Sequence, residues 1–160
     1  MKNRQNRIHP EDNVSENLPS GQKVIPGQSA AARGEISMEA ESLNSFWEDS
    51  DRKESVLNTA RNAGVLSAKR AGELIPIPFT YSLSRIAIKI TRLDSPPGMR
   101  IEAEVQGEAR AGLEAAALSA VSGAGITLLH LLGGADQGMK IREIRLAKWS
   151  KYQSAGISQA

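Results

Sequence analysis

The stretch RIAIKITRLDSPPGMRIEAEVQ, residues 85–106, decides the fold class of this chain. Apolar and polar residues alternate on both sides of a turn at residues 94–98, where Asp, Ser, two Pro and Gly follow one another. A period of two places one face of each strand in a core and the other face in water. Because turn residues separate the two alternating runs, the pattern predicts an antiparallel hairpin.

Two helices are predicted before this hairpin. The first covers about residues 39–48, with Ser37 as its cap, and Phe46 and Trp47 on it are interpreted as core or subunit contacts. The second covers about residues 54–70 and has a narrow face of small residues that lets another backbone approach. Pro76 and Pro78 follow and stop helical structure.

A third helix and a last strand are predicted after the hairpin. The helix is rich in alanine, covers about residues 113–132 and ends at the glycine pair 133–134. The strand covers about residues 140–149, and the broken period between Ile141 and Ile144 indicates a bulge. The predicted order is helix, helix, strand, strand, helix, strand. This order favours an α+β fold, an antiparallel sheet with helices packed on one face.

The two ends of the chain are predicted to lie outside the folded domain. Residues 1–35 are polar and carry no sustained period of 2 or 3.6, which is typical of a disordered arm. The alternative is an arm that docks on a neighbouring subunit. The folded domain is then expected over residues 36–150, with a flexible tail over residues 151–160.

Composition excludes several classes of site. The formal charge of +2 comes without a basic run interleaved with aromatic residues, which argues against nucleic-acid binding. The chain has no cysteine, so disulfides and thiolate chemistry are excluded, and its two histidines, His9 and His130, are too few for a histidine-rich metal site. No apolar stretch is expected to reach the length of a membrane span, so the protein is expected in the cytoplasm.

Short motifs between Ile36 and Trp149 carry a family resemblance through their order and spacing. They are Ala60-Arg61-Asn62-Ala63-Gly64, Ala68-Lys69-Arg70, Glu73-Leu74-Ile75-Pro76, Gly112-Leu113-Glu114, Ala117-Leu118, Ser122, Ala124, Thr127, Met139 and Arg145-Leu146. Together they resemble the molybdenum cofactor biosynthesis C family (MoaC, cyclic pyranopterin monophosphate synthase).

This resemblance implies a ferredoxin-like α+β subunit in a homo-oligomer, a hexamer built as a trimer of dimers. It also implies conversion of 3′,8-cyclo-dihydroguanosine triphosphate to cyclic pyranopterin monophosphate with loss of diphosphate, at a site between subunits. No resident cofactor is evident in the sequence, although Mg²⁺ could accompany a triphosphate. Neither nucleic acid nor a membrane is expected as a partner.

Part of the family's site is present in this chain. The resemblance assigns catalytic roles to Lys53, just before the second helix, and to Glu114. It assigns substrate binding to Lys69 and Arg70, and Arg110 keeps the positive charge of a family lysine. Lys and Arg suit a triphosphate because their hydrogen bonds to phosphate are charge-assisted. The alternatives are solvated surface for the cations and a helix-dipole role for Glu114.

Other family positions are replaced. His130 stands where the family has an aspartate, and it could be a substitute acid or base, because histidine titrates near neutral pH. Its alternative is a helix end favoured by the helix dipole. At five further family site positions this chain has a residue other than the family's. They are Pro78, Phe79, Ala116, Gly133 and Gln153.

Three functions stay open from the sequence. The first is a family protein in which the synthase, a lyase, is reduced or lost, with the alternative of a non-catalytic nucleotide- or pterin-binding or regulatory subunit that assembles with an active paralogue. The second is a working synthase with a rebuilt site that uses Lys53, Glu114 and His130. The third is different chemistry on the same scaffold, for which no phosphate-binding glycine loop or activated nucleophile is present. Whether the chain is an enzyme is not decided by these residues.

Overall fold

The computed structural model describes residues 25–76 and 80–149 and contains four strands and four helices there. In chain order they are β1 Ile25–Ser37, α1 Ala40–Glu48, α2 Ser50–Lys69, α3 Ala71–Leu74, β2 Thr80–Asp94, β3 Pro97–Ala111, α4 Leu113–Leu132 and β4 Lys140–Trp149.

The four strands form one antiparallel sheet in the order β2-β3-β1-β4. With α2 between β1 and β2, and α4 between β3 and β4, this is the ferredoxin-like arrangement that the resemblance implies. Alternate residues of the central strands are buried under the helices, among them Ile36 in β1 and Ile101 and Val105 in β3. The fold is therefore α+β, with the helices packed on one face of the sheet.

The opposite face of the sheet carries cross-strand ion pairs. Arg33 donates to Glu102 at 3.1 Å, and Arg100 donates to Glu35 at 2.8 Å, each pair joining β1 to its register partner on β3. All four side chains are 22–38% exposed. Such exposed pairs are worth at most about 1 kcal/mol each, so the apolar face holds the fold together.

Strand β1 corrects the predicted domain boundary. Residues 25–35 were assigned to a disordered arm, yet they belong to a central strand paired with both β3 and β4. The sequence signal is weak because the buried positions are small residues, Ala30, Ala32 and Gly34, followed only at the end by Ile36. Two neighbouring strands and a covering helix supply the stabilisation that the side chains alone do not. The arm at residues 1–24 and the tail at residues 151–160 lie outside the described residues.

The other predicted elements are confirmed with small shifts in their bounds. Helix α4 and strand β4 match the predicted ranges, and β4 skips register at Arg142, between Ile141 and Ile144, as a bulge would. Helix α2 begins earlier than predicted, at Ser50, because the Asp49 carboxylate accepts a hydrogen bond from the Arg52 backbone N–H at 3.1 Å.

Helix α1 is not capped by Ser37 as predicted. The Ser37 hydroxyl lies 3.5 Å from the Lys140 carbonyl oxygen instead. The Glu39 N–H at the start of α1 donates to the Asp136 carboxylate at 2.7 Å, and the same carboxylate accepts from the Gly138 N–H at 3.0 Å. Asp136 is only 3% exposed. Asp136, which is distant from α1 in sequence, thus anchors the start of α1 to the segment that leads into β4.

Helices α2 and α4 cross at very short range. A Cβ atom built on Gly64 of α2 would lie 2.7 Å from the carbonyl oxygen of Ala120 on α4, and one built on Gly123 would lie 3.1 Å from the Ala63 carbonyl oxygen. Real Cβ contacts are rarely this short, so glycine permits the crossing. The predicted small-residue face is confirmed as a helix–helix contact.

Helix α4 is long and apolar enough, by length and composition alone, to be a candidate membrane span. Its mean hydropathy is 1.7 over a window of which 56% is buried, so the expectation that no apolar stretch reaches such a length was wrong. The core helix of a water-soluble domain has the same properties. Here the buried side of α4 packs on the sheet and on α2.

Replacement of Gly64 by alanine is expected to destabilise the fold. Alanine gains about 1 kcal/mol over glycine in a helix interior. Overpacking against both the Ala120 carbonyl and the Ile88 side chain is expected to cost about 2–3 kcal/mol, the upper part of the usual range. We therefore expect a net loss of about 1–2 kcal/mol in the free energy of unfolding, measured by urea denaturation. Gly134→Ala is the control, since no heavy atom lies within 4 Å of the added Cβ. Equal stability of the two variants would contradict the close crossing.

Candidate functional site

The described candidate residues fall at two opposite ends of the sheet. The Glu114 end is where α2 finishes, β2 starts, β3 finishes and α4 starts, and it holds Lys69, Arg70 and Glu114. The His130 end is where α4 finishes and β4 starts beside α1 and the β2–β3 turn, and it holds Lys53 and His130. Chain order alone does not reveal this division.

The Glu114 end collects cations around a helix start. The Tyr81 hydroxyl of β2 donates to the Ala68 carbonyl at 3.2 Å and so ties the last turn of α2 to the sheet. Lys69 and Arg70, which follow Ala68, are exposed. Glu114 is half-buried in the first turn of α4, where the helix dipole favours a negative charge.

Gly112 shapes the start of α4. Its φ of 105° lies in the left-handed region that favours glycine, and it provides no side-chain cap for the helix. The chain therefore turns sharply from β3 into α4 and places Glu114 beside the end of the sheet. Arg110 lies on β3 next to this turn, but its side chain is outside the described part of the structure.

The His130 end contains the other two candidate groups. His130 is exposed in the last turn of α4, where the negative end of the helix dipole favours a cation. The Lys53 ammonium donates to the Trp47 carbonyl oxygen at 3.1 Å and lies 5.7 Å from the centre of the Trp47 ring. Lys53 is thus held by α1 rather than extended into solvent.

A single copy of the chain does not bring the two groups together. At about 1.5 Å of rise per residue, about 24 Å of helix axis separate Lys53 from Lys69 along α2, and the same distance separates Glu114 from His130 along α4. Side chains span only a fraction of that length. Within one copy, Lys53 and His130 therefore cannot contact the same phosphate group as Lys69 and Glu114.

Two of the replaced positions, Ala116 and Gly133, lie among the described residues, and each has a structural role there. Ala116 has no exposed surface and belongs to the hydrophobic core. Gly133 ends α4, and its N–H donates to the Leu129 carbonyl at 2.8 Å. Pro78, Phe79 and Gln153 lie outside the described residues.

The sequence did not single out a cleft at the His130 end. It has a volume of about 440 Å³ and is lined by Ser37, Met38, Glu39, Gly138, Lys140 and Arg142. Lys140 and Arg142 are exposed at the start of β4, two positions apart, and that spacing was the available signal. The buried Asp136 nearby is committed to two backbone N–H groups and serves the fold.

No metal centre is found among residues 25–76 and 80–149. No group of three or more histidine, aspartate or glutamate side chains in that part of the chain is arranged to hold a metal ion. The described candidate groups instead combine cations with one carboxylate and one imidazole, a set that suits a phosphorylated ligand.

Comparison with known proteins gives a family match over most of the chain. The model of the MoaC family matches residues 20–151, which include β1 and every other described element. The chain belongs to the MoaC family. The match begins before β1 and so agrees with the corrected boundary, since a domain starting at residue 36 would lack a central strand of the sheet.

Individual relatives agree with this assignment. A protein of Methylobacterium sp. strain 4-46, named cyclic pyranopterin monophosphate synthase, is 39% identical over 85% of both chains. A protein of the same name from Chloroflexus aurantiacus is 36% identical over 79% of this chain and 77% of its own. Among solved structures, a de novo designed protein with a ferredoxin fold covers 83% of this chain and 95% of its own, at 13% identity and a TM-score of 0.42.

Introducing a carboxylate at Ala116 is expected to destabilise the domain. A charged group placed in this core position without a partner costs several kcal/mol, so Ala116→Glu should lower the free energy of unfolding by about 3 kcal/mol or more at neutral pH. Ile126→Glu, on the same helix at a position 61% exposed, is the control and should change stability little. Equal stability of both variants in urea denaturation would show that position 116 opens to solvent or to a partner.

Proposed function

We propose that this MoaC-family protein acts in molybdenum cofactor biosynthesis as a holder of a purine-derived triphosphate, with reduced or absent synthase activity. The observation that carries the proposal is that cationic site residues stay exposed while a family glutamate position is buried without a carboxylate. The cations Lys69 and Arg70 remain exposed, whereas Ala116, at a family glutamate position, is sealed in the core.

The surviving groups match the binding half of the family's reaction. A triphosphate carries several negative charges, and a diphosphate that leaves needs positive charge on its oxygens. Lys53, Lys69 and Arg70 can supply that charge through short charge-assisted hydrogen bonds, with Arg110 as a fourth cation beside the α4 start. Mg²⁺ would arrive with the triphosphate and share its charge.

The missing groups belong to the half of the reaction that moves protons. Opening and re-forming a purine-derived ring needs acids and bases near neutral pH. Loss of one such group commonly costs about 10²–10⁴-fold in rate, and the losses need not add, because the members of a site act as a unit. Phe79, Ala116 and Gly133 each stand at a family site position without a titratable group, which supports slow or absent turnover.

The separation of the two ends supports a homo-oligomer. Because Lys53 and Lys69 of one copy are too far apart to share a phosphate group, a site in which both hold the same phosphate needs the His130 end of one copy beside the Glu114 end of another. The hexamer that the resemblance implies would offer such contacts, and a two-fold pair would form two sites at once. We propose this assembly, in the cytoplasm, for the protein.

His130 could restore part of the lost chemistry within such an assembly. Its exposure at the end of α4 leaves the imidazole accessible to a second copy. In that arrangement the imidazole would face the partner's Glu114 end and exchange protons with a bound ligand. This working-synthase alternative needs only the groups already named.

A non-catalytic subunit is the second candidate function. The completely buried Ala116 favours it, because the α4 start is packed as core instead of being kept as a polar pocket. Such a subunit would bind a nucleotide or pterin and assemble with an active paralogue. Its site residues would be the same cations, so ligand binding alone does not separate it from a slow enzyme.

Titration calorimetry and a synthase assay on the purified protein test the proposal together. We expect binding of inorganic tripolyphosphate and of the cyclised triphosphate, weakened about tenfold in Lys69→Met, since one charge-assisted contact is lost. Lys89→Met, which removes an exposed cation from the middle of β2, is the control and should bind normally. We also expect turnover at least about 100-fold below that of an active family synthase measured in parallel.

Two results would contradict this function. The absence of heat with both ligands at high protein concentration would remove the triphosphate-holding role. Turnover close to that of the reference synthase would show that the site is rebuilt and working. If turnover is instead low, Phe79→His combined with Ala116→Glu serves as a paired restoration, and its effect on the rate is measured once the stability test has shown that Ala116→Glu folds.

A further inference from the structure

We propose that Trp47 is a positioning residue that fixes the ammonium of Lys53 for contact with an anionic ligand. This inference rests on the proposed triphosphate-holding function. It names a side chain that the family resemblance did not assign and for which the sequence offered only core or subunit packing.

The contact joins the end of one helix to the start of the next. Trp47 is in the last turn of α1, where carbonyl groups lack a partner within the helix. Lys53 is in the first turn of α2, and its Nζ donates to the Trp47 carbonyl oxygen at 3.1 Å. The ammonium therefore caps α1 and lies at the negative end of that helix dipole, which favours a cation.

The indole ring holds the same ammonium from a second side. Nζ lies 5.7 Å from the ring centre, within the range of a cation–π interaction. The ring is itself fixed, because Phe46 meets it edge-on with centroids 5.9 Å apart and an interplanar angle of 77°. Phe46 is 3% exposed and belongs to the core, so the position of Trp47 is anchored in the fold.

This fixation changes what Lys53 can do. A free lysine carries about 2 kcal/mol of side-chain entropy that a ligand must overcome. The Trp47 contacts lower that cost because they restrict the side chain before a ligand arrives. The carbonyl uses only one of the three N–H donors. The remaining donors stay available on a half-buried ammonium of defined position.

The cations at the other end lack such support. In the part of the chain that the structure describes, no side chain or carbonyl holds the Lys69 ammonium or the Arg70 guanidinium, and both residues are exposed. Among the cations of the set whose side chains the structure describes, Lys53 is therefore the pre-positioned one. An anion bound there gains from geometry as well as from charge.

The first part of the test examines the protein without ligand. The Lys53 ε-methylene protons, assigned by NMR through the Lys53→Met spectrum, should be shifted upfield by the indole ring. The shift should disappear in Trp47→Leu, which keeps the backbone carbonyl and removes the ring, and persist in reduced form in Trp47→Phe. An unshifted ε-methylene in the unmodified protein would overturn the positioning role.

The second part measures the affinity for inorganic tripolyphosphate by calorimetry. We expect Lys53→Met to weaken binding at least about tenfold and Trp47→Leu about threefold to tenfold, with Trp47→Phe close to the unmodified protein. The double variant Trp47→Leu/Lys53→Met should bind no more weakly than Lys53→Met alone, because Trp47 acts through Lys53.

The outcomes separate this inference from the proposed function. Unchanged affinity in Trp47→Leu, or additive losses in the double variant, would overturn the role of Trp47 while leaving the triphosphate-holding function in place. If the unmodified protein does not bind tripolyphosphate, the proposed function fails, and the ε-methylene shift alone decides whether Trp47 fixes Lys53. If Trp47→Leu does not fold, the ε-methylene shift of the unmodified protein and its reduction in Trp47→Phe decide the positioning role.

Discussion

The rigid length of α4 is the constraint on which the rest of the structure depends. An uninterrupted helix over Leu113–Leu132 contacts all four strands of the sheet and sets how far apart the two ends lie. Helix α2 runs across the same face and imposes a similar length, so Glu114 and His130 are kept about 24 Å apart, as are Lys53 and Lys69. In the proposed assembly, another copy completes a site that uses both ends.

That rigidity comes from close packing with few large side chains. Aromatic residues make up only 4% of the chain, and the α2–α4 crossing is made by Gly64, Gly123 and the alanines around them. The two helix backbones come close enough to make many van der Waals contacts. Each contact is weak, but their sum stabilises the crossing without large side chains. The same packing makes α4 apolar over most of its length and leaves Ala116 completely buried.

The sequence predicted the periodic elements well and the spatial grouping poorly. Helix α4 was placed with its observed bounds because an alanine-rich run ends at a glycine pair, and strand β4 because Ile141 and Ile144 mark it despite the bulge between them. Strand β1 was missed because Ala30, Ala32 and Gly34 carry little hydrophobic signal and are buried by their neighbours. The candidate residues came from motif order, but their division between two ends depends on topology. The Trp47–Lys53 contact depends on the angle between α1 and α2, which no local pattern encodes.

The central claim is that a binding site forms only where the two different ends of two copies meet. It is tested by mixing copies that carry Lys53→Met with copies that carry Lys69→Met, after joint unfolding and refolding. In a two-fold pair with random mixing, roughly a quarter of all sites should be complete, so high-affinity tripolyphosphate binding should return to that level although each parent lacks it. A mixture that binds no better than its parents would contradict the account.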